Sequence, residues 1–120
     1  MSDNELVISR GDRPGASSLR LSGFLDAHTA PSLDRAIQDL VDNGCSRIVL
    51  NLAELDYISS AGLGVFMSYV EPLRAQGGDL KISNLMPRVQ RVFDIVGFER
   101  IFDIFDQEDV AIADFDGTVE

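Results

Sequence analysis

The stretch LDYISSAGLGVF, residues 55–66, lies where an apolar run gives way to a helical pattern, with two serines and two glycines at the junction. Just upstream, SRIVLNL (46–52) is a short β-branched run, apolar almost throughout, as expected of a central strand covered on both faces. Downstream, Leu63, Phe66, Met67, Val70 and Leu73 recur at helical spacing. A strand feeding a helix through a turn of small residues is the building unit of an α/β sheet, and the flanking sequence repeats it in both directions.

Toward the N-terminus, residues 5–10 (ELVISR) and 17–25 (SSLRLSGFL) alternate as two strands, and GDRPGA between them supplies turn chemistry for a hairpin. AHTAPSLDRAIQDLVDNG then reads as a helix. Thr29 is its cap, Pro31 suits the first turn, Leu33, Ile37, Leu40 and Val41 form one stripe, and Gly44 closes it in a left-handed conformation. Beyond the central turn, the motif helix should end at QGG (76–78), and Pro72, which cannot donate to the Ser68 carbonyl, predicts a kink or an early stop. DLKIS (79–83) is a strand. MPRVQRVFDIVG is a helix with Val89, Val92, Phe93 and Val96 inward and Gly97 at its end. RIFDIF (100–105) reads as a last strand, and DQEDVAIADF as a last helix capped by Asp106 with acids in its first turn. The order ββαβαβαβα implies one α/β domain over residues 1–120, with a mixed, mostly parallel sheet, one antiparallel edge pair and helices packed against it.

Composition narrows the class. A chain of 120 residues with 45% apolar content can bury a core without metal or disulfide staples. The net charge of −10 argues against a nucleic-acid footprint and against docking on an anionic membrane, and favours a protein or small-molecule partner. Cys45 is the single cysteine, so no internal disulfide forms and no zinc framework is available; it reads as a small apolar group at the start of a strand. The start of the chain lacks the basic and apolar blocks of a signal peptide and no apolar run reaches membrane-spanning length, which places the protein in the cytoplasm.

Enzyme signatures are weak. His28, the one histidine, lies in a polar loop; a Ser60–His28–Asp26 triad can be assembled, but SSAGLG is not the G-x-S-x-G elbow of such enzymes. GLG lacks the third glycine of a dinucleotide fingerprint, and no G-x-x-x-x-G-K-[ST] loop exists to hold a nucleotide. The expectation is a non-enzyme without cofactor or metal. What remains is the turn itself, at the carboxyl end of a central strand, where α/β sheets collect binding sites. Ser60 is placed there as N-cap, its hydroxyl accepting from the N–H of Gly62 or Leu63. Gly62 and Gly64 each cost roughly 1 kcal/mol against alanine in a helix, and their missing side chains open the turn to close approach. A phosphate on such a serine would meet free N–H groups and the positive end of the helix, adding charge without unfolding anything.

Three segments together resemble the STAS domain family, specifically the stand-alone bacterial anti-sigma factor antagonists. GFLDAHTAPSLDRAI is similar to the family's G-x-L-D loop and first helix, IVLNLAELDYISSAGLGVF to its strand and D-[ST]-[ST]-G-[LI]-G motif, and GGDLKISNLMPRVQRVFDIVGFERIFDIF to the strand, helix and strand that follow. The resemblance implies a partner switch. Unphosphorylated, the protein would bind an anti-sigma factor that is also a serine kinase; that kinase would use ATP to phosphorylate Ser60, two residues before the motif glycine Gly62, and a metal-dependent serine phosphatase would reverse it. The partner-binding residues implied are Asp26, from the early loop, and Ser59, Ser60, Ala61, Gly62, Leu63 and Gly64. Ser59 replaces the family's acidic residue, which makes it a second candidate acceptor, and Phe24 stands where the family often carries a polar residue. By this resemblance the phosphate would repel an acidic kinase surface or block close packing over Gly62 and Gly64. Two rival readings are a non-phosphorylated STAS scaffold or accessory subunit in another pathway, such as lipid transport, and a nucleotide-binding protein.

Overall fold

The computed structural model describes residues 5–116. Strands β1 (Leu6–Arg13) and β2 (Ala16–Leu25) form the hairpin, turning through Pro14 and Gly15 alone, so most of the expected GDRPGA turn is strand. Then follow α1 (Ala30–Asp42), β3 (Arg47–Ile58), α2 (Ser60–Ala75), β4 (Asp79–Ser83), α3 (Pro87–Val96), a 3-10 turn (Phe98–Arg100), β5 (Ile104–Phe105) and α4 (Glu108–Asp114). The sheet order is β1-β2-β3-β4-β5; β1 and β2 pair antiparallel and the other neighbours pair parallel.

The α1 stripe packs Leu33, Ile37 and Leu40 into the core, and the helix ends in a Schellman motif. There the Cys45 N–H reaches the Leu40 carbonyl at 2.9 Å and the Gly44 N–H the Val41 carbonyl at 3.0 Å, with Gly44 at φ +85°. Helices α1, α2 and α3 cover one face of the sheet over Leu19, Leu21, Ile48, Leu50, Leu52, Leu80 and Ile82. Helix α4 alone covers part of the other, on Ala16 and Val49 through Ala111 and Ile112. This explains the unbroken apolar run of β3: Ile48 and Leu50 face three helices while Val49 faces the fourth.

Four expectations give way to specific contacts. Only Ile104–Phe105 of the expected strand 100–105 is extended, because Phe98 and Phe102, four residues apart, turn the backbone so that both rings join Phe66 and Phe93. Ring centroids there lie 5.0 to 6.2 Å apart, the geometry of edge-to-face aromatic packing. Gln107, not Asp106, is the N-cap of α4, with Glu108 and Asp109 in its first turn. Val96 is 46% exposed at the C-terminal end of α3, where the stripe turns away from the sheet. Pro72 does not break α2, which runs on to Ala75. It is exposed in the last turn, and the helix closes three residues later through bonds from Gly77 to Arg74 and from Gly78 to Leu73.

Lys81 ties α4 and the approach to β5 onto the sheet. It is 5% exposed, with its Nζ 2.8 Å from Asp114 and 3.1 Å from Asp103 and lying over the ring of Phe115 at 4.8 Å. Burial disfavours its charge, but the hydrogen bonds it donates to Asp114 and Asp103 outweigh that and hold its pKa above the ordinary lysine value. Lys81→Met should lower stability at neutral pH by about 2 kcal/mol, less than for a fully buried pair because both carboxylates keep access to water. A lysine pKa raised in the folded state adds stability that is complete below the unfolded pKa of about 10.4 and lost as pH rises through the folded value. Urea denaturation of wild type and variant should therefore converge as pH climbs above that range.

Candidate functional site

The last rung between β2 and β3 pairs Leu25 with Ile58, so Asp26 and Ser59 follow side by side at the carboxyl ends of adjacent parallel strands. The Ser59 N–H continues the ladder to the Leu25 carbonyl at 2.9 Å. Because Ser59 is still extended, it is the N-cap and Ser60 is the first helical residue, one position later than the capping reading requires. The Ser59 carbonyl accepts from the Leu63 N–H at 3.0 Å, but its hydroxyl is buried without a partner and caps nothing. Ser60 is exposed, in a first turn that carries no acidic residue.

The two motif glycines do different work. A Cβ on Gly62 would lie 2.6 Å from Leu25 Cγ and 3.1 Å from Ile58 Cγ1, so the absent methyl seats α2 on its own strands. Gly64, about half a turn further, is exposed and faces open space. Leu63 is buried and Ala61 half-buried, which leaves Ser60 and Gly64 as the outward surface of the turn.

Asp26 organises the other lip. Its Oδ1 accepts from the backbone N–H groups of His28 at 3.0 Å and Thr29 at 3.1 Å, an Asx turn that leads into α1. The Thr29 hydroxyl donates to the Phe24 carbonyl at 2.8 Å and accepts from the Asp26 N–H, rather than capping α1. The Asp26 carboxylate is thus engaged with backbone amides, not with an imidazole as a triad would need. Cys45 is half-buried near the start of β3, its thiol donating to the Arg47 carbonyl.

Strand β3 runs six residues past the expected Leu52, and two register shifts against β2 explain why the sequence pattern hid this. Arg20 pairs with Asn51 but Ser22 with Glu54; Gly23 pairs with Leu55 but Phe24 with Tyr57. Each shift inserts an extra β3 residue, as a bulge does. Asn51 Oδ1 takes up the Ala53 N–H at 3.0 Å, and Gly23 adopts φ +109°, where a side chain would strike the Glu5 carbonyl. Leu55 and Ile58 consequently stay buried while Glu54, Asp56 and Tyr57 all face solvent. Tyr57 is 48% exposed and rests against Phe24, ring centroids 6.0 Å apart.

A separate groove between α1 and the second half of α2, about 400 Å³ in volume, is lined by residues including Asp34, Gln38, Tyr69 and Pro72. Burial and then the Asp34 hydrogen bond push the Tyr69 phenol pKa well above its ordinary value, so it stays a neutral donor to Asp34. Among the described residues, no cluster of three or more His, Cys, Asp or Glu side chains is arranged to hold a metal ion, and no helix is long and apolar enough to cross a membrane.

An α/β domain with a hairpin edge, three helices against one, and a rigid strand-to-helix turn at the carboxyl end of its central strand defines a small class. The STAS domain model matches residues 9–111, and the chain belongs to the STAS domain family. BtrV of Bordetella bronchiseptica, provisionally named an anti-sigma factor antagonist, is 40% identical over 95 residues, spanning 79% of this chain and 82% of that protein. The anti-sigma F factor antagonist of Paenibacillus polymyxa is 34% identical over 115 residues, 92% of this chain and 96% of its own length. The fold is also that of the anti-sigma factor antagonist SpoIIAA. Its unphosphorylated form has a TM-score of 0.81 at 24% identity, covering 95% of this chain and 100% of that one. The phosphorylated Bacillus form has a TM-score of 0.70 at 23% identity, covering 89% and 97%.

The unlike environments of the two glycines give opposite expectations. Gly62→Ala should destabilise the fold by about 1–3 kcal/mol through overpacking against Leu25. Gly64→Ala should be neutral or stabilising by up to about 1 kcal/mol from helix propensity. Denaturant titration of the two variants checks the difference in sign.

Proposed function

We propose that this STAS protein, a single domain over residues 1–120 of which 5–116 are described, is an anti-sigma factor antagonist that works as a phosphoserine partner switch in the cytoplasm. Unphosphorylated, it binds an anti-sigma factor that is also a serine kinase. ATP-dependent phosphorylation of Ser60 releases it, and a serine phosphatase resets it. The protein is the substrate of these reactions and not their catalyst. The observation that carries the reading is the exposure of Ser60 on a turn whose other parts are fixed: Ser59 in the β2–β3 ladder, Gly62 against Leu25, Leu63 in the core. The names of the relatives and the existence of a fold neighbour in both phosphorylated and unphosphorylated forms support it.

A phosphate on Ser60 would carry about −1.5 to −2 charges near the positive end of a 16-residue helix whose first turn holds no other acid. The helix tolerates that charge, so the fold stands. The same phosphate lies one turn from Gly64, the flat spot on which a partner can settle, and its bulk keeps a partner's backbone away. The partner-binding surface proposed is accordingly Ser60 and Gly64 at its centre, with Ser59, Ala61, Gly62 and Leu63 holding the turn and Asp26 shaping the opposite lip.

Phosphopeptide mass spectrometry of the protein from its native cells should place phosphate on Ser60. Ser60→Asp should weaken kinase binding by at least about tenfold while its melting temperature stays within a few degrees of wild type, and Ser60→Ala should bind and resist phosphorylation. Phosphate on Ser59 alone would move the switch by one residue; no phosphate under any growth condition would favour a constitutive scaffold.

A further inference from the structure

Tyr57 is exposed against the logic of its strand. Residues two apart on a strand share a face, so beside buried Leu55 the side chain of Tyr57 belongs in the core. The bulge at Asp56 turns it out instead, and the price is apolar surface left in water. The ring is nonetheless held in place, since Phe24 backs it at 6.0 Å with the ring planes 36° apart. A fixed, half-exposed tyrosine is a ready-made anchor for a partner.

Its surroundings state which chemistry it fits. Residues 21–34 and 48–73, whose strands, turns and helix starts build this end of the molecule, contain no lysine or arginine. They do contain Asp26, Glu54 and Asp56. Every ion pair found among the described residues uses acids from elsewhere, namely Asp12, Asp79, Asp103, Glu108, Asp109, Asp114 and Asp116. Glu54 and Asp56, both exposed, precede Tyr57 on β3 and have no cationic partner among the described residues. An aromatic face beside two free carboxylates matches a guanidinium, which stacks on a ring and pairs with carboxylates at the same time, better than it matches a compact ammonium.

We infer that Tyr57, backed by Phe24 and preceded on the same strand by the exposed acids Glu54 and Asp56, receives an arginine side chain of the partner protein. This rests on the reading of the chain as a partner-binding module and names the chemistry of that partner's surface. Tyr57 and Ser60 are three positions apart, so their Cα atoms lie within about 11 Å and fall under one interface. A phosphate on Ser60, anywhere within that span, is only partly screened at physiological salt and adds to the arginine's attraction, so its bulk over Gly64 must decide release.

The test needs neither kinase nor phosphate. The ¹⁵N-labelled protein is titrated with the blocked tripeptide acetyl-Gly-Arg-Gly-amide and with its lysine counterpart, at low and at physiological salt. The arginine peptide should shift the amides of Phe24, Glu54, Asp56 and Tyr57 and bind more tightly than the lysine peptide. Tyr57→Ala should weaken it about fivefold, the change expected of a surface cation–π contact, and Tyr57→Phe should retain it. Asp56→Asn should weaken binding and flatten its salt dependence. Equal binding of both peptides, or shifts confined to the acidic α1 surface around Asp34 and Asp39, would overturn the inference. Since Tyr57 is half-exposed, retained spectral dispersion in Tyr57→Ala separates a lost contact from a lost fold. Ser60→Asp should still bind the arginine peptide, so failure of the switch and failure of this contact are read separately.

Discussion

The presenting end of the molecule depends on how closely α2 sits on the ends of β2 and β3, and that distance is set by a missing methyl group. Gly62 lets the first turn of the helix rest on Leu25 and Ile58, which are themselves the last paired rung of the two strands. The Ser59 N–H extends the same ladder by one bond to Leu25. Strand, cap and helix start are thereby locked to one another, and only the outward side chains are left to vary. A close-packed interior has low compressibility and few voids to yield into. A modification on this turn therefore alters its surface rather than its shape.

Much of this was legible because the packing is periodic. Leu33, Ile37 and Leu40 of α1, the five residues of β4, and Gly44 and Gly97 behind their helices follow rules that act over three or four residues. The losses occurred where a distant contact overrode the local rule. Phe102 alternates plausibly as part of a strand over 100–105 until Phe98, Phe66 and Phe93 draw its ring into one cluster. The length of β3 was hidden because its bulges convert a period of two into the spacing of Leu52, Leu55 and Ile58, three apart, which resembles neither element. That spacing, between a β-branched run and a helix, is the signal that could have found it.

The site was half legible. The motif drew attention to Ser59, Ser60 and the glycines, but three-dimensional seating was needed to give them distinct roles. Ile58 remains in the ladder, so the cap falls on Ser59 and Ser60 is carried into the helix and outward. Gly62 faces Leu25 and Gly64 faces solvent, a difference of about half a turn that a sequence pattern states only if the helix start is known to one residue.

Charge is divided between the two faces of the sheet in a way that composition cannot show. Arg13, Arg47 and Lys81 are engaged with the acids of α4 and its flanks. That division attaches a short helix whose apolar contact is small, resting chiefly on Ala16 and Val49. It also draws cations away from the carboxyl end of β2 and β3, where Asp26, Glu54 and Asp56 stay without a cationic partner among the described residues. Stability and recognition thus draw on the same excess of acid in different places. Neutralising the whole surface would strip the presenting end of its charge preference, whereas loosening α4 would leave that preference intact, because no ion pair among the described residues links the two regions.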